Sequence, residues 1–172
     1  MLNSDSPAIE DATWANTSTT GLTTTINFGG PHWFGTQARF GTHAFRDNNP
    51  GNIISGAFTS NHGSIGNDGR FAVFSTSGVG SDALDSLLHG PGYIDPSLND
   101  AIAQYAPSFE NDTVSYQQFL QNVVGVSGNA PLLSLTPAQF TALENGIARF
   151  EGFNSPGGYS VTATSVIGGP HQ

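Results

Sequence analysis

The stretch Thr136-Pro137-Ala138-Gln139-Phe140, with the eleven residues that follow it to Glu151, constrains the fold more than any other part of the chain. Thr136 followed three residues later by Gln139 forms a capping box, and Pro137 suits the first helical turn because its missing N–H has no intrahelical partner there. Phe140, Leu143, Ile147 and Phe150 then recur at helical spacing. This predicts an amphipathic helix ending near Phe150, with an apolar stripe that must be buried against other elements.

Three further helices are expected ahead of it. The first covers about 79–88, with Ala83, Leu84, Leu87 and Leu88 on one face. The second opens with Asp95 as N-cap and Pro96 in the first turn, runs to about Tyr105 and stops before Pro107. The third follows Asn111-Asp112, carries Tyr116, Phe119, Leu120 and Val123 inward, and ends at Gly125. Between residues 45 and 76, turn signals such as Asn-Asn-Pro-Gly and Asn-Asp-Gly bound a short strand over Arg70–Thr76. The chain holds 22 Gly and 10 Pro, so much of it is loop. Residues 1–30, rich in Ser, Thr, Asn and Asp, read as a polar N-terminal arm or linker, with a short strand open at Leu22–Phe28. Residues 31–172 read as one domain. The recurrence of Phe34-Gly35-Thr36 as Phe40-Gly41-Thr42 is open between a small hairpin and chance. The expected class is α+β, mainly α, with a small strand and loop lobe.

Charge excludes several functions. There is no lysine, the basic side chains are Arg39, Arg46, Arg70, Arg149 and five histidines, and the net charge is −9. Phosphate contacts need Lys and Arg, so nucleic-acid binding is not expected. An acidic surface also disfavours anionic membranes, and no run approaches the roughly 20 apolar residues of a membrane span. The first residues lack the basic and apolar regions of a secretory signal peptide. With no cysteine there is no disulfide frame and no thiolate metal site. His32, His43, His62, His89 and His171 show no metal-ligand spacing, and no twelve-residue calcium loop, phosphate loop, dinucleotide fingerprint or nucleophile elbow occurs. No metal or cofactor is expected.

Glu151 is the unusual residue of the last helix. It lies four residues after Ile147 and eight after Leu143, on the buried side and in the last turn, where the helix dipole disfavours an anion. A carboxyl so placed should be pushed toward its neutral form, as a general acid requires. Local physics leaves a second reading open, a frayed last turn with Glu151 in water.

From Phe45 to about Phe153 the chain resembles phage-virion and bacterial exported domains of the lysozyme-like superfamily. The resemblance rests on Asn48-Asn49-Pro50-Gly51-Asn52-Ile53, on Gly69-Arg70-Phe71-Ala72-Val73-Phe74 leading into a helix, on Tyr105-Ala106-Pro107-Ser108-Phe109-Glu110-Asn111-Asp112-Thr113 with Tyr116 following, and on a final helix ending in Glu-Gly. The order of blocks is also similar to that of cell-wall glucosaminidases and lytic transglycosylases after circular permutation. Here the glutamate helix comes last, and Gly152 stands where Ser often follows the catalytic glutamate.

The resemblance implies a lysozyme-like helical domain that cleaves β-1,4 glycosidic bonds in bacterial peptidoglycan. It would be secreted or virion-associated and is expected to act as a monomer. Glu151 would be the general acid. Glu110, Asp68 and Tyr105 are candidates for stabilising charge or activating water. Asn48, Asn49, Asn52, Asp68 and Tyr116 are candidates for holding substrate. Each also has a structural reading: Glu110 as an acid at a helix start, Asp68 and the asparagines as turn residues, the tyrosines as core. Two alternatives stay open, a non-catalytic carbohydrate-binding or virion-structural domain and a cell-wall peptidase or amidase.

Overall fold

The computed structural model describes residues 12–30, 33–93, 95–155 and 157–165. His32 and His171 lie outside them, as do residues 1–11 of the expected arm. The chain divides into two compact units. The first is formed by the chain up to Ala83 together with the chain from Gly152 on, and the second is Leu84–Glu151.

The first unit is built on an antiparallel sheet of β1 (Trp14–Thr20), β2 (Thr23–Gly30), β3 (Trp33–Phe40) and β6 (Gly158–Ser165), in the order β1-β2-β3-β6. In β2 the period-two alternation places Thr24, Ile26 and Phe28 inward. Ile26 and Phe28 form a core with Val73, against which Ala15 and Ile65 pack. Phe28 stands opposite Gly35 of β3, where a side chain would meet its ring at 2.7 Å. Arg39, opposite Thr24 two pairs along the same face, is buried and donates from Nη2 to the Phe45 carbonyl at 2.8 Å.

Two short helices follow, α1 (His43–Arg46) and α2 (Ala57–Asn61), and then a hairpin of β4 (Ser64–Asn67) and β5 (Ala72–Phe74). Helix α3 (Ser77–Leu88) carries the chain from the first unit into the second.

The second unit is helical. It holds α4 (Leu98–Tyr105), α5 (Thr113–Val124), a 3-10 turn at Leu132–Ser134 and α6 (Pro137–Phe150). Helix α6 starts on the expected capping box, Thr136 accepting from the Gln139 N–H. Asp112 caps α5, and Gly125 ends it with a left-handed φ of 74°. Gly146 would weaken a free helix by about 1 kcal/mol relative to Ala. Here a Cβ would lie 2.7 Å from Leu120 Cδ2, so the glycine lets α5 and α6 approach. Leu98, Ile102, Tyr116, Leu120, Leu143 and Ile147 make the core. Among the described residues no helix is long and apolar enough to cross a membrane.

The expectation of a mainly α, lysozyme-like helical domain is corrected by these observations. Helix accounts for 40% and strand for 26%, with a four-stranded antiparallel sheet as a principal element. The physical reason lies in residues 14–40. Thr and Asn are polar by type, but Thr is β-branched and fits a pleated, half-buried surface. Residues 14–30, expected as an arm, therefore form β1 and β2. Two smaller differences follow the same logic. Phe34-Gly35-Thr36 and Phe40 lie on one strand, not on two arms of a hairpin. Helix α4 starts at Leu98, because Ser97 accepts from the Asp100 N–H and Pro96 gives its carbonyl to the Leu132 N–H at 3.1 Å.

Candidate functional site

The end of α6 brings together three of the residues singled out in the sequence. Ile147 is fully buried, and one turn later Glu151 closes the helix, its N–H donating to the Ile147 carbonyl at 2.9 Å. Glu151 is half-buried. Tyr116, fully buried on α5, donates its phenol O–H to Glu151 Oε1 at 2.9 Å. The Tyr116 ring lies flat on Phe150, with centroids 3.8 Å apart and planes 12° from parallel. The Phe119 ring lies 5.4 Å from Phe150, tilted by 48°, and the Arg149 guanidinium sits 5.5 Å from the Phe119 ring centre. Stacking therefore fixes the phenol, and the phenol fixes the carboxyl.

Electrostatics keep the proton on the phenol. Desolvation and then the Glu151 charge push the Tyr116 pKa far above the usual value. Tyr105 behaves alike: its residue retains some exposure, but desolvation, the Glu151 charge and Tyr93 push its phenol well up. Both tyrosines are neutral at any working pH, and Tyr116 donates to Glu151 Oε1. A proton on the Glu151 carboxyl is then carried by Oε2. Such a group can give a proton from a fixed position and take it back.

Glu110 is exposed in the turn ahead of α5. Asp112, and not Glu110, supplies the cap. Asn48, Asn49, Asn52 and Asp68 belong to the first unit. Asn49 Oδ1 accepts from the Ile53 N–H, and its Nδ2 donates to the Ile53 and Ala72 carbonyls, each at 2.9 Å. Asn48 Nδ2 donates to the Phe74 and Ser75 carbonyls. Asn48 and Asn52 have left-handed φ values of 52° and 47°, a conformation asparagine tolerates better than most residues. The first two amides thus clamp the β5 backbone from inside.

Asp68 is part of a charged group around α1 that sequence reasoning missed. Its Oδ1 accepts from the Arg70 and Phe71 N–H groups, as an Asx turn does, while Oδ2 receives Arg46 Nη2 at 3.0 Å and pairs with His43 Nδ1. Burial opposes ionisation of Asp68, but the four donors together hold it well below the usual carboxylate range. Asp47 beside it is fully buried, with Oδ1 accepting from Thr24 Oγ1 and, among the described residues, no hydrogen-bond partner at Oδ2. Desolvation, only partly offset by the Thr24 bond, raises its pKa from 3.8 to about 7.

His43, Asp47 and Asp68 each offer a ligand atom, these lie within 4.8 Å of one another, and together they form a donor set that could hold a divalent ion. Arg46 Nη2 stands 2.9 Å from His43 Nδ1 and 3.0 Å from Asp68 Oδ2, so a guanidinium already provides positive charge at that point. His43 and Asp68 are 25 residues apart, and no local periodicity links them.

No protein-family model, curated protein sequence or solved structure matches this chain.

Proposed function

We propose that this protein cleaves β-1,4 glycosidic bonds in bacterial peptidoglycan, with Glu151 as general acid. The observation that carries the reading is the Tyr116 O–H bond to Glu151 Oε1 at 2.9 Å, at the helix end that resembles the catalytic helix of cell-wall transglycosylases. Glu151 Oε2 gives its proton to the glycosidic oxygen, the C1–O bond breaks, and the leaving sugar departs as a neutral alcohol. Water, or the substrate's own hydroxyl, adds to the oxocarbenium-like carbon and returns a proton to Glu151. The first course gives a new reducing end and the second an anhydro end.

Tyr116 is a positioning residue: it holds Oε1 so that the acidic proton resides on Oε2. Peptidoglycan lies outside the cytoplasm, so the site of action is the cell wall. A net charge of −9 without lysine supports a partner other than nucleic acid.

Mass spectrometry of digested murein tests the reading. Glycan cleavage produces new reducing or anhydro ends. New amino termini would identify a peptidase or amidase instead, and binding without new ends would identify a non-catalytic carbohydrate-binding or virion-structural domain.

A further inference from the structure

The second unit contains a cleft that the Glu151 site does not use. Its volume is about 360 Å³, and its walls are mostly apolar: Leu88 at the end of α3, Leu132 and Leu135 around the 3-10 turn, and Phe140 on α6. An engineered cavity of about 150 Å³ holds benzene, so this cleft has room for a ring and a short arm. Its size falls within the range of small-molecule sites, which pair apolar walls with a few polar groups.

The charged groups in the wall are two carboxyls and one imidazole, beside the hydroxyls of Tyr93 and Thr141. Asp85 and His89 stand four residues apart on α3 and just beyond its end, with His89 Nδ1 3.1 Å from Asp85 Oδ1. Glu144, on α6, lines the same cleft, close enough to Asp85 for that carboxyl to oppose its ionisation. The His89 ring is stacked on Phe140 at 4.0 Å. Two carboxyl groups therefore meet at one spot above an aromatic and aliphatic floor.

We propose that this cleft binds a small organic cation, an ammonium group carried on an aromatic or short aliphatic body. An anion would face two carboxyl groups. An uncharged apolar molecule would cover them and leave their acceptors without a donor. An ammonium brings three N–H donors and a positive charge, and its body covers the leucines and Phe140.

The chemistry predicts a proton release. Desolvation, then the Asp85 hydrogen bond and charge, raise the Glu144 pKa from 4.5 to about 7, with His89 acting in the opposite direction. The other titratable group in the wall is Tyr93, whose phenol is pushed up by desolvation and stays neutral. Before binding, Glu144 keeps its proton up to about pH 7. An arriving ammonium takes the proton's place, Glu144 ionises, and the proton passes to solvent.

The test uses the full chain and three probes of similar shape: 2-phenylethylamine, 2-phenylethanol and 3-phenylpropionate. Calorimetry and amide NMR shifts are read from about pH 5 to about pH 8, spanning the Glu144 titration. The amine should shift amides of Leu88, His89, Leu132 and Phe140, bind more tightly as pH rises, and release a proton below about pH 7. The alcohol should bind about tenfold or more weakly, the difference expected for losing a charged hydrogen-bond donor, and the propionate should not bind. Glu144→Gln should lower amine affinity about tenfold and abolish proton release.

Asp85 is about half exposed (53%), so Asp85→Asn serves as a second variant should the first be unstable. Equal binding of amine and alcohol, amine shifts confined to other residues, or no amine binding at millimolar concentration would overturn the proposal. None of these readouts depends on glycan cleavage.

Discussion

Replacing Asp47 by Asn should stabilise the protein above neutral pH and leave it nearly unchanged in mild acid. Asp47 is fully buried, and its carboxyl titrates at about 7 instead of 3.8. Between those two values the unfolded chain has already released the proton and the folded chain still holds it. The unfolded state thus binds fewer protons, and stability falls as pH rises. Three pH units at about 1.4 kcal/mol each give an upper limit of about 4 kcal/mol, which solvent relaxation around the charge reduces.

Asparagine keeps an oxygen able to accept from Thr24 Oγ1 and has no charge to bury. Arg46 retains Asp68 as its partner at 3.0 Å. At about pH 4, close to the pKa of the unfolded chain, the variant should match the parent within about 1 kcal/mol. At about pH 8 it should be more stable by about 2–4 kcal/mol. Urea unfolding of both proteins at the two pH values provides the measurement. The difference between the proteins isolates this group from Glu144, whose raised pKa acts in the same direction. An equal effect at both pH values, or a variant less stable than its parent at the higher one, would refute the burial argument.

Tyr116→Phe should keep the stacking on Phe150 and lose only the bond to Glu151. It should cost about 1–2 kcal/mol in urea unfolding, lower murein cleavage by an order of magnitude or more and move the pH optimum; an unchanged pH–rate profile would remove Tyr116 from the mechanism. Gly80→Ala should destabilise by more than about 3 kcal/mol, because a Cβ there would overlap the Asn48 carbonyl oxygen and press on Pro50. Gly78→Ala is its control on the same helix: the nearest atom is 3.7 Å away, and thermal unfolding should show a neutral or mildly stabilising change.

The features legible in the sequence were local ones. The capping box at Thr136, the Asp112 cap and the glycine stop at Gly125 each depend on contacts within four residues, and they set the ends of α5 and α6. The turn at Asn67-Asp68-Gly69 and a strand after it were legible for the same reason, although that strand is only Ala72–Phe74 and its partner β4 was not anticipated. The sheet was not. Strand β6 pairs with β3 across more than a hundred residues, and β1 alternates between polar residues, so neither shows a strong local pattern. Thr23–Phe28 does carry the period-two signal, which is why a short strand at Leu22–Phe28 stays open beside the polar arm, but no local pattern names its partners.

At the candidate site, the periodicity of α6 sets Glu151 one turn beyond the buried Ile147, where it is half-buried. Its hydrogen bond to Tyr116 joins residues 35 apart and depends on how α5 packs against α6. The pairings of His43 with Asp68 and of Asp85 with Glu144 are equally non-local. In the second of these, only the four-residue spacing of Asp85 and His89 could have been noticed.

The most direct measurement compares parent and Glu151→Gln proteins on purified murein, with released fragments counted by mass spectrometry and binding followed by co-sedimentation. Glutamine can still accept from the Tyr116 phenol, so the local geometry should survive. The account predicts new reducing or anhydro ends from the parent alone, with both proteins sedimenting equally. New glycan ends at equal rates from both, or none from either, would contradict it.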